Sequence, residues 1–121
     1  MIELHERVVE WGYEKEIIQK GNVLSQAGKV KEEAGEVIEA VDAWLKELLL
    51  PAENRDYKIL AHVMEEIGDL RTTLILENKM VHVLCSMLEV DPDECLLLAL
   101  HKIEKRTGKI VDGVFVKSED L

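Results

Sequence analysis

The chain has 121 residues, enough for one compact domain and too few for two, and 47% of them are hydrophobic, which argues against disorder. Fifteen Lys and Arg stand against 25 Asp and Glu, giving a formal net charge of −10, so the chain is a poor match for nucleic acid or an anionic membrane surface. The longest unbroken apolar run, Cys95 to Leu100, is six residues, far below the ~20 that a membrane span needs.

The start of the chain, Met1-Ile2-Glu3-Leu4-His5-Glu6-Arg7, carries acids where an export signal needs a basic start and an apolar stretch. A cytoplasmic protein with reduced thiols is therefore expected. A first helix is expected from about Glu3 to Gln19, stopped by Gly21-Asn22. A second, longer one runs from about Leu24 to Leu49, with Val30, Ala34, Val37, Val41, Leu45 and Leu48 as its core stripe at steps of three and four. Pro51 and the polar Glu53-Asn54-Arg55-Asp56 break the pattern. The third helix starts at about Tyr57, with Leu60, Val63, Ile67, Leu70 and Leu74 as its stripe. It extends past Met80 to Leu88, either unbroken or bent near Asn78.

Asp91-Pro92-Asp93-Glu94 announces a fourth helix: a capping acid, Pro at the first helical position, and a capping-box Glu three residues after the cap. That helix should end near Arg106, where Gly108 supplies the stop. Lys109-Ile110-Val111 and Val114-Phe115-Val116 then flank Asp112-Gly113, a dipeptide preferred in tight hairpin turns. The expected architecture is all-α, a single domain over residues 1–121 built as a four-helix bundle with a short C-terminal β-hairpin. Cys85 and Cys95, ten apart on apolar helical faces, suit neither a zinc knuckle nor a redox pair and are expected as small buried thiols. Runs such as Leu48-Leu49-Leu50 and Leu74-Ile75-Leu76 put apolar residues on more than one side of long helices. One small bundle does not readily cover them, so an oligomer is expected.

Four acids stand out against this background. Residues three and four apart share a helical face. On the second helix Glu33 falls on the shoulder of the stripe, beside Gln26, Ala40 and Trp44, and Glu36 lies further round near Lys29, while Glu32 and Glu39 point to water. On the third helix His62, Glu66, Asp69 and Thr73 share one flank, with Glu65 on the wetter side. Packing the two helices brings Glu33, Glu36, Glu66 and Asp69 together. Two carboxylates about 5 Å apart repel by roughly 3 kcal/mol at an effective dielectric of 20, against a domain stability of about 5–15 kcal/mol. Such a cluster needs cations. An all-oxygen donor set suits Mg²⁺ or Mn²⁺, and bridging metals let an acidic protein hold a polyphosphate. Against this stands the cheapness of the spacing: Glu-x-x-Glu recurs at Glu3/Glu6 and Glu36/Glu39, and acidic helical faces are ordinarily only solvated.

Glu33-x-x-Glu36 followed by Glu66-x-x-Asp69 resembles the paired signature of the MazG-like all-α nucleoside triphosphate pyrophosphohydrolases. Gln26-x-x-Lys29 before Glu32-Glu33-Ala34-Gly35-Glu36 is similar to small phage and prophage members. So is the tail Lys102-Ile103-x-x-Arg106-Thr107-Gly108-Lys109 with Gly113-Val114-Phe115-Val116-Lys117. The likeness runs from about Trp11 to the last residue. It departs in the 29 residues between Glu36 and Glu66, in Thr107 where Lys is common, and in a longer stretch between Asp69 and Asp91.

The resemblance implies hydrolysis between the α- and β-phosphates of a nucleoside triphosphate, giving a monophosphate and pyrophosphate. A phage-type member would act on the deoxynucleotide pool. It also implies a homodimer or homotetramer. Glu33, Glu36, Glu66 and Asp69 would hold Mg²⁺ (or Mn²⁺), with Glu33 as an alternative orienter of water. Lys29, Lys102, Lys105 and Arg106 are candidates for phosphate oxygens, and Gln26 and Trp44 for the rest of the nucleotide. Lys102, Lys105 and Arg106 equally suit the C-terminal dipole of their helix. Trp11 suits a base or the core, and His62 and His101 suit solvent or a ligand.

No Gly-x-x-x-x-Gly-Lys loop occurs, which excludes a P-loop nucleotidase, and no Glu-x-x-His occurs, which disfavours a di-iron bundle. Two other readings stay open: a phosphoribosyl-ATP pyrophosphatase of the same superfamily, and a non-catalytic helical partner-binding or regulatory protein.

Overall fold

The computed structural model describes residues 2–121. Among them, five α-helices precede a single two-stranded hairpin, and the chain divides into two compact units, Met1–Leu84 and Cys85–Leu121. The first unit contains α1 (Ile2–Glu14), α2 (Ile17–Lys20), α3 (Val23–Glu47) and most of α4 (Tyr57–Met87). No described helix is long and apolar enough to cross a membrane.

The expected first helix is broken in two, which is why there are five helices and not four. Glu16 adopts a left-handed backbone (φ 61°), and the Glu16 N–H donates to the Tyr13 carbonyl at 3.0 Å, closing α1. No Gly or Pro marks this break. Its cause is tertiary: the turn lets Ile18 enter a cluster with Leu76 and Met80, flanked by Val8, Val9, Ile17 and Val23. Burying an Ile side chain is worth about 1.5–3 kcal/mol, against about 1–2 kcal/mol for one left-handed residue. Gly12 sits where α1 comes closest to α4, because a Cβ there would lie 2.5 Å from Leu76 Cδ2. Asn22 then starts α3 as its N-cap, its side chain accepting from the Ser25 N–H at 2.8 Å.

α3 and α4 run antiparallel and touch at successive heights. Near the connection the Trp44 and Tyr57 rings pack with centroids 5.6 Å apart, and at the far end the Gln26 side-chain amide donates to the Thr73 carbonyl at 3.3 Å. The face that α3 buries is not the expected stripe. Gln26, Glu33 and Ala40, seven apart, are buried, while Val30, Val37 and Val41 are half-buried and Leu45 is 54% exposed. On α4 the buried positions are Val63, Thr73, Leu76, Met80 and Cys85, and Ile67 and Leu74 from the expected stripe are exposed. Both seams are therefore rotated toward the polar shoulder, so the acids lie deeper than their spacing suggested. α4 passes Asn78 without interruption.

The connection from Leu48 to Asp56 is tied down at both ends. The Asp56 N–H donates to Glu47 Oε1 at 2.7 Å, Arg55 Nε donates to the Leu50 carbonyl at 3.0 Å, and the Tyr57 hydroxyl donates to the Ala52 carbonyl at 3.3 Å.

In the second unit α4 ends through Glu89 in the left-handed region (φ 57°), with the Val90 N–H donating to the Cys85 carbonyl at 2.9 Å. Asp91 caps α5 (Pro92–Ile103) by accepting from the Asp93 N–H at 2.9 Å, so the cap bond goes to Asp93 and not into the expected box with Glu94. The helix ends at Ile103, three residues short of Arg106. The β1 (Gly108–Val111) and β2 (Val114–Lys117) strands pair antiparallel, with Val111 opposite Val114. Asp112 and Gly113 both take positive φ, 50° and 79°, as a two-residue turn of this hand requires. One cysteine departs from expectation: Cys85 is buried but Cys95, in the first turns of α5, is exposed.

Candidate functional site

The antiparallel alignment that sets Gln26 against Thr73 and Trp44 against Tyr57 also brings Glu33 level with Glu66. Carboxylate oxygens of Glu33, Glu66 and Asp69 lie within 4.8 Å of one another across the helix pair, and those of Glu32, Glu33 and Glu36 do the same along α3. Glu33 is common to both groups. It is buried, Glu66 is half-buried and Asp69 is exposed, so the cluster grades from the seam between the helices to the surface.

With every carboxylate ionised, Glu33 Oε2 and Glu66 Oε2 are buried without a hydrogen-bond partner among the described residues. An unpaired buried carboxylate oxygen is costly. A proton on Glu36 would relieve part of that cost by giving its neighbours a donor. Accordingly the Glu36 carboxyl is pushed up to about 7, first by its hydrogen bond with Glu33, then by the charge of Glu33, by burial, and by Glu66. One cation reaches the cluster from α3 itself: Lys29 Nζ lies 3.1 Å from Glu33 Oε1 and 3.5 Å from Glu32 Oε1. These partners, Glu33 foremost, hold the Lys29 ammonium above its ordinary range. On α4, His62 Nε2 lies 3.6 Å from Glu66 Oε1.

A cavity of about 540 Å³ opens beside the acids, lined by Lys29, Glu33 and Asp69 together with Trp11, Gln26, Thr72, Thr73 and Leu76 among others. A larger open cavity, about 1100 Å³, shares Trp11, Asp69 and Thr72 with it and adds His5, Arg7 and Arg71. Asp69 thus belongs to the acid cluster and to the walls of both cavities.

Not every residue chosen from the sequence comes to this place. Glu33, Glu36, Glu66, Asp69 and Lys29 do. Gln26 lines the same cavity, but its amide is engaged with the Thr73 carbonyl, joining α3 to α4. Trp44 lies eight residues past Glu36, about 12 Å along the helix axis, and packs on Tyr57. Lys102, Lys105 and Arg106 belong to the second unit, where they line a cavity of about 330 Å³ with Lys117, Thr107, Ser118 and Glu119. There the Thr107 and Ser118 hydroxyls are 2.9 Å apart, and Lys117 Nζ is 3.6 Å from Glu119 Oε1.

Sequence reasoning missed Lys117 as a member of that basic set, because only the hairpin register returns it to the end of α5. It missed Arg7 and Arg71, which no motif marks. It also missed Glu77 on α4, whose Oε2 is buried without a partner and whose carboxyl is pushed up by that burial. No protein-family model, curated protein or solved structure matches this chain.

Proposed function

We propose that this chain is a divalent-cation-dependent nucleoside triphosphate pyrophosphohydrolase of the MazG-like all-α kind. It would cleave nucleoside triphosphates, deoxynucleotides above all, between the α- and β-phosphates to give a monophosphate and pyrophosphate. The observation that carries this reading is the meeting of Glu33, Glu66 and Asp69 within 4.8 Å across two helices. The donor chemistry supports it: the set is all carboxylate, and two of its buried oxygens lack hydrogen-bond partners, a combination suited to a hard cation. Glu33, Glu36, Glu66 and Asp69 would hold Mg²⁺ or Mn²⁺. When bound, the ion supplies Lewis-acid polarisation of phosphate oxygens and charge neutralisation.

The chain's own residues divide the remaining work. Asp69, exposed and bordering both cavities, would face a nucleotide entering from either of them. Trp11 offers an aromatic wall there, 44% exposed, and aromatic faces suit a base. The second unit's Lys102, Lys105, Arg106 and Lys117 form a cationic lining suited to phosphate oxygens. Exposed Ile38, Leu45, Met64, Ile67 and Leu74 in the first unit and Leu96 and Leu98 in the second support self-association; a homodimer or homotetramer in the cytoplasm belongs to the same proposal.

The test is turnover of the eight common ribo- and deoxynucleoside triphosphates with Mg²⁺ or Mn²⁺, with nucleotide products separated and pyrophosphate assayed. Glu36→Gln and Asp69→Asn should each lower turnover by about 100-fold or more. An unchanged circular dichroism spectrum with undiminished turnover in either variant would refute the assignment.

A further inference from the structure

We propose that Lys29 is the resident counter-cation of the acid cluster, seated on Glu33 while no divalent ion is bound and displaced onto Glu32 when one binds, so that it sets the cluster's affinity for the ion. This rests on the reading of the cluster as a cation site.

The position of Glu33 makes the competition direct. It belongs to both groups of converging carboxylates, so an ion held by either group must draw on the residue that Lys29 contacts at 3.1 Å. The Glu33 side chain is only 9% exposed, whereas that of Lys29 is 47% exposed. The acid is fixed in the seam, and the ammonium reaches it from the solvent side. Lys29 takes up Glu33 Oε1 alone: with the carboxylates ionised, Glu33 Oε2 and Glu66 Oε2 are buried without a hydrogen-bond partner among the described residues. A single positive charge therefore compensates the cluster only in part and leaves it attractive to a doubly charged ion.

Leaving is easy for the same geometric reasons. Glu32 Oε1 is 3.5 Å from Lys29 Nζ and its side chain is 58% exposed, so a second anionic partner lies within reach on the wet face of the same helix. The displaced ammonium remains hydrated, and no new buried charge is made. A lysine with two such partners, one in the seam between α3 and α4 and one on the wet face of α3, exchanges between them without moving the backbone, and the ion this proposal concerns is the one held across the seam by Glu33, Glu66 and Asp69.

The experiment is Mn²⁺ binding to the full chain without nucleotide, read by the paramagnetic resonance signal of free Mn²⁺ and by calorimetry. Lys29→Met and Lys29→Gln are compared with the wild type, and Lys31→Gln serves as a control that changes net charge equally on the same helix. Removing a unit charge about 5 Å from a divalent ion, even at the dielectric of water, changes affinity by a factor of about ten. Both Lys29 variants should therefore bind Mn²⁺ about tenfold more tightly, with Lys31→Gln much closer to the wild type. Unchanged or weaker binding by folded Lys29 variants, with wild-type binding intact, overturns the proposal and leaves the cation-site reading standing. An equal gain in Lys31→Gln also overturns it, since the effect is then general charge. Absence of Mn²⁺ binding in the wild type rejects the cation-site reading and the proposal with it.

Discussion

Adding one methyl group at Gly12 measures how closely α1 is set against α4. An Ala Cβ would lie 2.5 Å from Leu76 Cδ2, 2.9 Å from Ile18 Cδ1 and 3.2 Å from Ile18 Cγ1, where carbon atoms prefer about 3.5–4.0 Å. Leu76 and Ile18 are each 3% exposed and pack on each other and on Met80, so neither swings aside without opening the cluster. Overpacking of this kind costs about 1–3 kcal/mol, and two overlaps place it in the upper half of that range. Ala returns about 1 kcal/mol of helix propensity over Gly. The net loss is then about 1–2 kcal/mol, a fall in Tm of about 3–8 °C for a chain of this size. Gly28 in α3 is the internal control, because a Cβ there meets nothing within 4 Å, and Gly28→Ala should gain about 1 kcal/mol. Urea unfolding followed by circular dichroism at constant m-value reads both changes. If Gly12→Ala is as stable as wild type while Gly28→Ala gains, the close approach of α1 to α4 is wrong.

Two further outcomes follow from the titrating groups. The Glu36 carboxyl binds its proton more tightly in the folded chain, near 7, than at its ordinary 4.5. Its stabilising contribution is therefore full below about 4.5 and is lost as pH rises through about 7. In the presence of a chelator, thermal stability should decline across that window and Glu36→Gln should flatten the decline; a rise carried by Glu36 contradicts the sign. The thiols should separate by accessibility. Native protein treated with iodoacetamide should carry the label on Cys95, with Cys85, buried and with its thiol pushed up by that burial, protected until the chain unfolds. Equal labelling rates, read by peptide mass, would reject that difference.

What could be read before the structure was local and periodic. The breaks at Gly21-Asn22 and Pro51, the Asp91-Pro92 start of α5 and the Asp112-Gly113 turn each depend on the backbone preferences of a few residues, and each is where the residues put it. The gathering of Glu33 with Glu66 and Asp69 was legible for the same reason, since helical spacing alone puts them on matching flanks. The break at Glu16 was not legible, because nothing in Lys15-Glu16 disfavours helix; the burial of Ile18 against a helix some sixty residues later imposes it. The rotation of the α3 seam was hidden too. Hydrophobic pattern pointed to Leu45 and Leu48, yet Gln26, Glu33 and Ala40 are the buried residues, and Gln26 and Glu33 meet Thr73, Glu66 and Asp69 on another helix. Pattern shows which residues avoid water and leaves open which of several apolar stripes meets which neighbour. Trp44 lies further along that same seam, and its neighbour in space is Tyr57, across the connection.

That connection has a consequence for the acids. Let α4 slide by one heptad, about 10 Å, along α3. Gln26 would then lie against Met80, Glu33 would be level with Thr73, and Glu66 would be beside Ala40. The anions would be dispersed and each would face a neutral neighbour, an easier arrangement for a chain without a cation. Only nine residues separate Glu47 from Tyr57, and they are pinned by the bonds of Asp56 to Glu47 and of Arg55 to the Leu50 carbonyl. The loop works as a ruler: its fixed span, outside the acid cluster, keeps mutually repelling groups at one height. Change in this protein should therefore be least forgiving in a segment that touches none of the chemistry, where one added residue would misalign Glu33 and Glu66 while leaving both helices whole.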